Sequence, residues 1–244
     1  MTATYVKRAL LTTAFLAVIS KGSASDWPHF LGPNYDGHAE LGEAAPTTTF
    51  PENGLPILWE TPHGASHTAP TILGGALVFI HLLDGMETIQ CHDAATGELR
   101  WKTAYPVRAG QSYGISDAPR CSPVIDPDTR RVYTMGFTGE LHCFALETGD
   151  VIWKRNLSSV FGSSPFFFGR GASPLIWQDR LIINVGGPDS TVAALDKHSG
   201  ESLWQTKHKN WQASYASPIP VAVEGKDYVL IFTGGMIDPP VGGL

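Results

Sequence analysis

Serine, histidine and cysteine are the residue types whose spacing in this chain could support chemistry. Gly110-Gln111-Ser112-Tyr113-Gly114 fits G-x-S-x-G, which in hydrolases holds a nucleophilic serine on a strained strand-to-helix turn. Here Ala118-Pro119 and a β-rich run follow, so no helix can form behind the serine. His63 and His67 have the i, i+4 spacing of a helical metal pair, but Pro62, Gly64 and Pro70 forbid that helix. They read as solvated loop residues, and no metal site is expected. Cys91, Cys121 and Cys143 are an odd number, nowhere adjacent, and no C-x-x-C-H for an attached haem is present. The sequon Asn156-Leu157-Ser158 matters only in a glycosylating host.

Any of these residues must be positioned by short strands and turns. The 244-residue chain is 43% hydrophobic, enough for a core, with 26 Gly and 18 Pro and no long 3.6-residue periodicity. Self-comparison gives the main signal. Asp93-Ala94-Ala95-Thr96-Gly97-Glu98-Leu99-Arg100-Trp101 returns as Ala145-Leu146-Glu147-Thr148-Gly149-Asp150-Val151-Ile152-Trp153, and again as Asp196-Lys197-His198-Ser199-Gly200-Glu201-Ser202-Leu203-Trp204. The tryptophans lie 52 and 51 residues apart, and a proline opens a β-rich run at Pro70, Pro123, Pro174 and Pro218. A period near 50 residues marks a solenoid, propeller or array.

Each repeat divides into four strands. In the third they are expected at Ala172–Trp177, Arg180–Val185, Thr191–Leu195 and Glu201–Thr206, joined by a tight Gln178-Asp179 hairpin, a longer Gly186-Gly187-Pro188-Asp189 loop and a Gly200 turn of positive φ. Four antiparallel strands cannot bury both faces alone, so such units stack radially as propeller blades. The recurring tryptophan then supplies apolar surface to the blade-to-blade contact. Cys91 and Cys143, each six residues before its glycine, read as small core residues in adjacent blades, too far apart to bridge.

First strands line the central channel, which places residues just before the repeated prolines near its mouth: His67, Arg120, Arg170 and Tyr215. Mixed basic and aromatic side chains there suit an anionic or sugar ligand. These are the candidate binding residues; no catalytic residue is nominated.

At the N-terminus, Lys7 and Arg8, the apolar run Ala9–Ser20 and Gly22-Ser23-Ala24 read as a signal peptide over residues 1–24. That run is too short to span a membrane. A periplasmic or extracellular location is therefore expected, without a transmembrane segment. Cleavage removes Lys7, Arg8 and Lys21 and takes the formal charge from −6 to −9, an unsuitable surface for nucleic acid. Residues 25–56 form a lead-in and residues 57–244 carry the repeats.

Ala95-Thr96-Gly97 with Trp101, Thr148-Gly149 with Trp153 and Ser199-Gly200 with Trp204 resemble the centre of the Ala-x-Asp-x-x-Thr-Gly-x-x-x-Trp docking motif of the pyrroloquinoline-quinone (PQQ) propeller repeat. The resemblance runs from about Trp59 to the C-terminus. Asp26-Trp27-Pro28-His29-Phe30-Leu31-Gly32-Pro33-Asn34-Tyr35-Asp36-Gly37 also looks like the Trp-Pro-x-Phe-x-Gly-Pro-Asn-x-x-Gly lead-in of an exported subgroup. The resemblance implies an all-β propeller of four-stranded blades. About three should be complete, with a partial fourth supplied by Ile219–Val223 and Tyr228–Thr233, and Ile57–Thr61 as the strand that closes a last blade.

Quinoprotein alcohol dehydrogenases of this fold hold the quinone on the axis over calcium, beside a vicinal Cys-Cys disulfide and a catalytic Asp. This chain lacks adjacent cysteines, and Ala145 stands where the second repeat should have Asp. The leading reading is thus a non-catalytic binding or assembly module for a small molecule or protein partner, with no cofactor. The competing reading is part of a PQQ-dependent alcohol or sugar dehydrogenase, with PQQ and calcium.

Overall fold

A computed structural model of the chain describes residues 25–39, 49–107, 118–163, 168–187, 189–206, 213–234 and 242–243. The proposed signal peptide and the Gly110–Gly114 motif lie outside them. The described residues form a partial β-propeller. Blade 1 consists of β1 (Thr71–Leu73), β2 (Ala76–Leu83), β3 (Met86–Asp93) and β4 (Leu99–Pro106). Blade 2 has β5 (Val124–Asp126), β6 (Arg131–Met135), β7 (Glu140–Ala145) and β8 (Val151–Asn156), followed by the short helix α1 (Leu157–Phe161). Blade 3 has β9 (Leu175–Trp177), β10 (Arg180–Gly187), β11 (Ser190–Asp196) and β12 (Ser202–Gln205). Each is an antiparallel meander with strand order equal to chain order. β13 (Ile219–Val223) and β14 (Lys226–Leu230) make a two-stranded fourth sheet, and β15 (Thr233–Gly234) pairs with β16 (Gly242–Gly243).

Strict side-chain alternation along the strands builds the contacts between blades. Val78, Ile80, Ile89 and Cys91 of blade 1 meet Ile125, Val132 and Phe144 of blade 2. Tyr133, Met135, Leu141 and Cys143 on the far side of blade 2 meet Leu181, Ile183, Ala193 and Leu195 of blade 3. Leu175, Ile182, Val192 and Ala194 then face Val229 and Ile231. All three cysteines are buried and free, as their spacing indicated.

The repeated motif works as a clasp between blades. Trp59, Trp101 and Trp153 donate their indole N–H to the carbonyls of Ala94, Leu146 and Lys197, at 3.0, 2.7 and 3.1 Å. Their rings cover Gly97, Gly149 and Gly200, whose φ angles are +74°, +74° and +71°. Asp93 Oδ1 accepts the Ala95 and Thr96 N–H groups, and Asp196 Oδ1 those of His198 and Ser199. At the corresponding turn of blade 2 Ala145 offers no such acceptor, and a Thr148 hydroxyl bond to Asp150 Oδ2 (2.6 Å) is made instead. The register shifts directly after Cys91, Cys143 and Ala194, so each blade carries the same bulge opposite its tryptophan.

Several boundaries differ from expectation, β11 (Ser190–Asp196) and β12 (Ser202–Gln205) by one residue at each end. Ile57–Thr61 is not a strand; it lies as coil, held by Trp59 on the Gly97 turn, while Ile57 and Leu58 are exposed. β9 starts at Leu175, because Ser173 gives its N–H to Ser217 Oγ, in the segment before β13, rather than to a strand partner. β10 runs through Gly187, which pairs with Ser190 across a tight turn after an irregularity at Asn184. The outer strand of the fourth sheet is Lys226–Leu230, since Gly225 and Glu224 at positive φ place the hairpin there and Thr233 pairs with Gly243.

Candidate functional site

The segments that enter the inner strands meet at one end of the channel. His67, Arg120, Gly171 and Tyr215 each stand three residues before a repeated proline. The His67 N–H donates to the Pro119 carbonyl (3.0 Å), and Arg120 Nε donates to the Phe168 carbonyl (2.8 Å). The Phe168 N–H in turn donates to Tyr215 Oη (3.0 Å), with the two rings 5.9 Å apart and the Arg120 guanidinium 5.9 Å from the Phe168 ring. Ser122 Oγ accepts the Ala69 N–H beside this chain of contacts. His67, Arg120 and Tyr215 thus join one chain of contacts that runs across the three blades to the segment before the fourth sheet, with His67 and Tyr215 exposed.

Arg170 does not. It stands four residues before Pro174, one position off the series, so its side chain turns inward and is 1% exposed. It donates to the Val185 carbonyl and to Ser163 Oγ (2.7 Å), and burial lowers its pKa to about 10. The equivalent residue is Gly171, where any Cβ would press on the Tyr215 ring at 2.8 Å.

The lead-in crosses the inner strands on the axial side. Trp27 exchanges two backbone hydrogen bonds with Ile72 of β1 (2.8 and 2.9 Å), Pro28 O accepts the Ile125 N–H of β5 (2.8 Å), and Tyr35 Oη donates to the Ile176 carbonyl of β9 (3.4 Å). His29 is buried and stacks on Tyr35 with ring centroids 3.5 Å apart; burial lowers its pKa to about 4. One strap of chain therefore touches the channel edges of three blades.

Asp126, the last residue of β5, is the buried carboxylate of the inner strands. It accepts from Thr129 Oγ1 (2.7 Å) and pairs with buried Lys197 of blade 3 (3.1 Å). Burial works to raise its pKa, but Thr129, the Lys197 bond and charge, and the Asp128 N–H together hold the carboxyl below the usual range. Below the mouth, buried Glu87 accepts the Phe137 N–H (2.6 Å). Burial pushes its carboxyl up against that hydrogen bond.

Blade 1 carries a second polar feature on the face turned away from blade 2. The Gly64 N–H donates to His81 Nδ1 (2.8 Å), so neutral His81 carries its proton on Nε2. His92 Nδ1 lies 2.9 Å from the Gly97 carbonyl and donates there, leaving its Nε2 as an acceptor. The Gln90 amide bridges the two Nε2 atoms at 3.0 and 2.8 Å. Donor–acceptor chemistry therefore assigns the amide oxygen to His81 and the amide nitrogen to His92. The result is a one-directional chain of neutral groups from Gly64 to Gly97.

Proline counting picks out His67, Arg120 and Tyr215 but gives no sign of Glu87. Glu87 had one signal: it precedes Ile89 and Cys91 at alternate positions of β3, an acid on a face that otherwise enters the core. His63 and His67 are exposed loop residues, and no cluster of three or more His, Cys, Asp or Glu suited to a metal occurs among the described residues. No helix among the described residues is long and apolar enough to cross a membrane.

Residues 85–238 match the sequence model of the family described as outer membrane protein assembly factor BamB. The chain is 26% identical over 136 residues to the quinoprotein glucose dehydrogenase of Escherichia coli (strain K12), covering 52% of this chain and 16% of that protein. It is 28% identical over 135 residues to BamB of Burkholderia pseudomallei (strain K96243), covering 54% and 28%. The crystal structure of BamB from Moraxella catarrhalis aligns with a TM-score of 0.42 at 18% identity, over 67% of this chain and 43% of that one. The chain thus spans under a third of the length of these two curated relatives.

Proposed function

Because the chain belongs to the PQQ-repeat propeller family described as outer membrane protein assembly factor BamB, we propose that it is an exported binding or assembly module that engages a partner polypeptide. An exposed apolar surface on blade 3 and the fourth sheet supports this reading. Trp101 and Trp153 are each 7% exposed, whereas Trp204, at the same position of the repeat, is 42% exposed. Val223, Tyr228 and Leu230 of the adjoining fourth sheet, and Phe232 just after it, are exposed as well. Among the described residues β14 pairs with β13, and strand addition at a sheet edge is one way such a surface takes up an extended segment. Backbone hydrogen bonds would supply affinity, and the apolar side chains selectivity.

The similarity to a glucose dehydrogenase favours a second reading, a part of a quinone-dependent enzyme. The groups on the described inner strands do not fit that cofactor. Axial edges of β1 and β5 are bonded to Trp27 and Pro28, and Asp126 is committed to Lys197 and Thr129. Cys91, Cys121 and Cys143 sit in separate strand or loop positions rather than as a vicinal pair. No reaction step is derived through the quinone.

The test is a titration of the full chain with an unfolded outer-membrane β-barrel polypeptide, read by hydrogen exchange. Saturable protection of β13–β14, weakened by Trp204→Ala, is expected. Stoichiometric calcium-dependent PQQ binding with dye reduction by alcohols or sugars, and no protection of β14, would overturn the proposal.

A further inference from the structure

Four buried side-chain atoms between blades 1 and 2 fall short of full hydrogen bonding: Thr134 Oγ1 and His142 Nδ1, and Glu87 Oε2 and Tyr105 Oη, which face one another without an aligned bond. They lie side by side. Glu87 and Tyr105 are cross-strand partners in β3 and β4, and Thr134 and His142 are partners in β6 and β7. The Tyr105 ring stacks on His142, with centroids 4.5 Å apart, which joins the two pairs across the interface. Gly136 opens the space between them. A methyl group there would overlap Glu87 Oε2 and sit 2.7 Å from Tyr105 Oη.

A buried polar atom left unsatisfied forfeits its hydration with nothing in return. Native interiors seldom gather several such atoms in one place. The interface therefore needs a further hydrogen-bonding partner. A cation suits the set poorly, because it holds a single carboxyl group whose charged form burial disfavours. Burial also holds His142 neutral and keeps the Tyr105 phenol protonated. Hydroxyl, phenol, neutral imidazole and carboxyl groups together call for a molecule that both donates and accepts.

We propose that the interface between the first two blades contains a built internal site for ordered water, closed by Glu87, Tyr105, Thr134 and His142 around Gly136. About two molecules, each with two to four polar partners, would satisfy the four atoms. The water would lie directly beneath the mouth loop, since Glu87 Oε1 already holds the Phe137 N–H and the Phe137 carbonyl accepts from the Arg170 N–H. It would fix the height of that loop over the blade contact.

A near-isosteric substitution decides the matter through the sign of its effect. Valine fills the volume of threonine and removes one hydroxyl. If the site is hydrated, Thr134→Val strips a partner from bound water and should lower Tm by about 2–5 °C. If the interface is dry, it removes an unsatisfied atom and Tm stays level or rises, which overturns the proposal. Water–amide cross-relaxation at Gly136 and Phe137 of the full chain provides the second measurement. Long-lived water signals that vanish in Thr134→Val are expected, and their absence from the unsubstituted protein would equally overturn it.

Discussion

The indole of Trp153 rests on the backbone of Gly200 so closely that a methyl there would lie 2.7 Å from the ring. The same indole donates to the Lys197 carbonyl (3.1 Å), and Lys197 Nζ reaches Asp126 across the interface (3.1 Å). A turn of blade 3 is thereby fastened to blade 2 by ring packing, a hydrogen bond and a buried ion pair. The glycine is needed twice, for its φ of +71° and for its missing side chain.

Gly200→Ala should therefore cost about 2–4 kcal/mol, combining left-handed backbone strain with overpacking. Gly37→Ala is the control: Gly37 has φ +74° but nothing within 4 Å of an added Cβ. It should cost about 1 kcal/mol, from the backbone alone. Urea unfolding of both variants checks the difference, and equal losses would refute the packing half of the argument.

Trp153→Ala and Trp204→Ala remove the same atoms from the same repeat position. The first empties a buried contact and should cost about 3–5 kcal/mol. The second starts from a half-exposed ring and should cost about 1 kcal/mol or less. Comparable unfolding midpoints for the two would show that Trp204 is covered in solution.

The spacing of Gly97, Gly149 and Gly200 against their tryptophans made the blades legible, because the clasp uses local turn chemistry repeated at a fixed period. Repeat position also placed Cys91 and Cys143 in the core, where both are found, but said nothing of Cys121. The lead-in's path could not be read, since Trp27, Pro28 and Tyr35 find their partners Ile72, Ile125 and Ile176 in three different repeats. Arg170 shows how a count from proline fails: one residue of offset in extended chain reverses the side a side chain takes. Glu87 stayed hidden because its meaning depends on Tyr105, Thr134 and His142, which only the docking of blade 2 brings near.

Burial raises the pKa of Cys91 to about 11 and of Cys143 to about 12, and pushes the Cys121 thiol higher still. Thiolate is the reactive form, so all three should resist a disulfide reagent in the folded protein at pH 8. In denaturant three equivalents should react at once, matching the three cysteines of the sequence. A fast-reacting thiol under native conditions, or fewer than three in denaturant, would contradict this.

Stability should fall on acidification through the histidine range. His29, His81 and His142 are all buried, and burial is the leading cause that depresses each of them. A histidine whose folded pKa lies below its unfolded value binds fewer protons when folded, so its contribution is complete above the unfolded pKa and declines as pH drops. For His29 the window runs from 6.5 down to about 4. Glu87 acts in the opposite direction: burial raises its carboxyl, so the folded state gains a proton first and is favoured by acid above 4.5. The histidines outnumber it, and Tm should drop by about 5–10 °C between pH 7 and pH 4.5. His29→Phe keeps the stack on Tyr35 without a titrating group and should flatten the slope, whereas Glu87→Gln should steepen it. A melting profile that is level from pH 7 to pH 4.5, or a His29→Phe profile parallel to that of the unsubstituted protein, would remove the buried imidazoles as its cause.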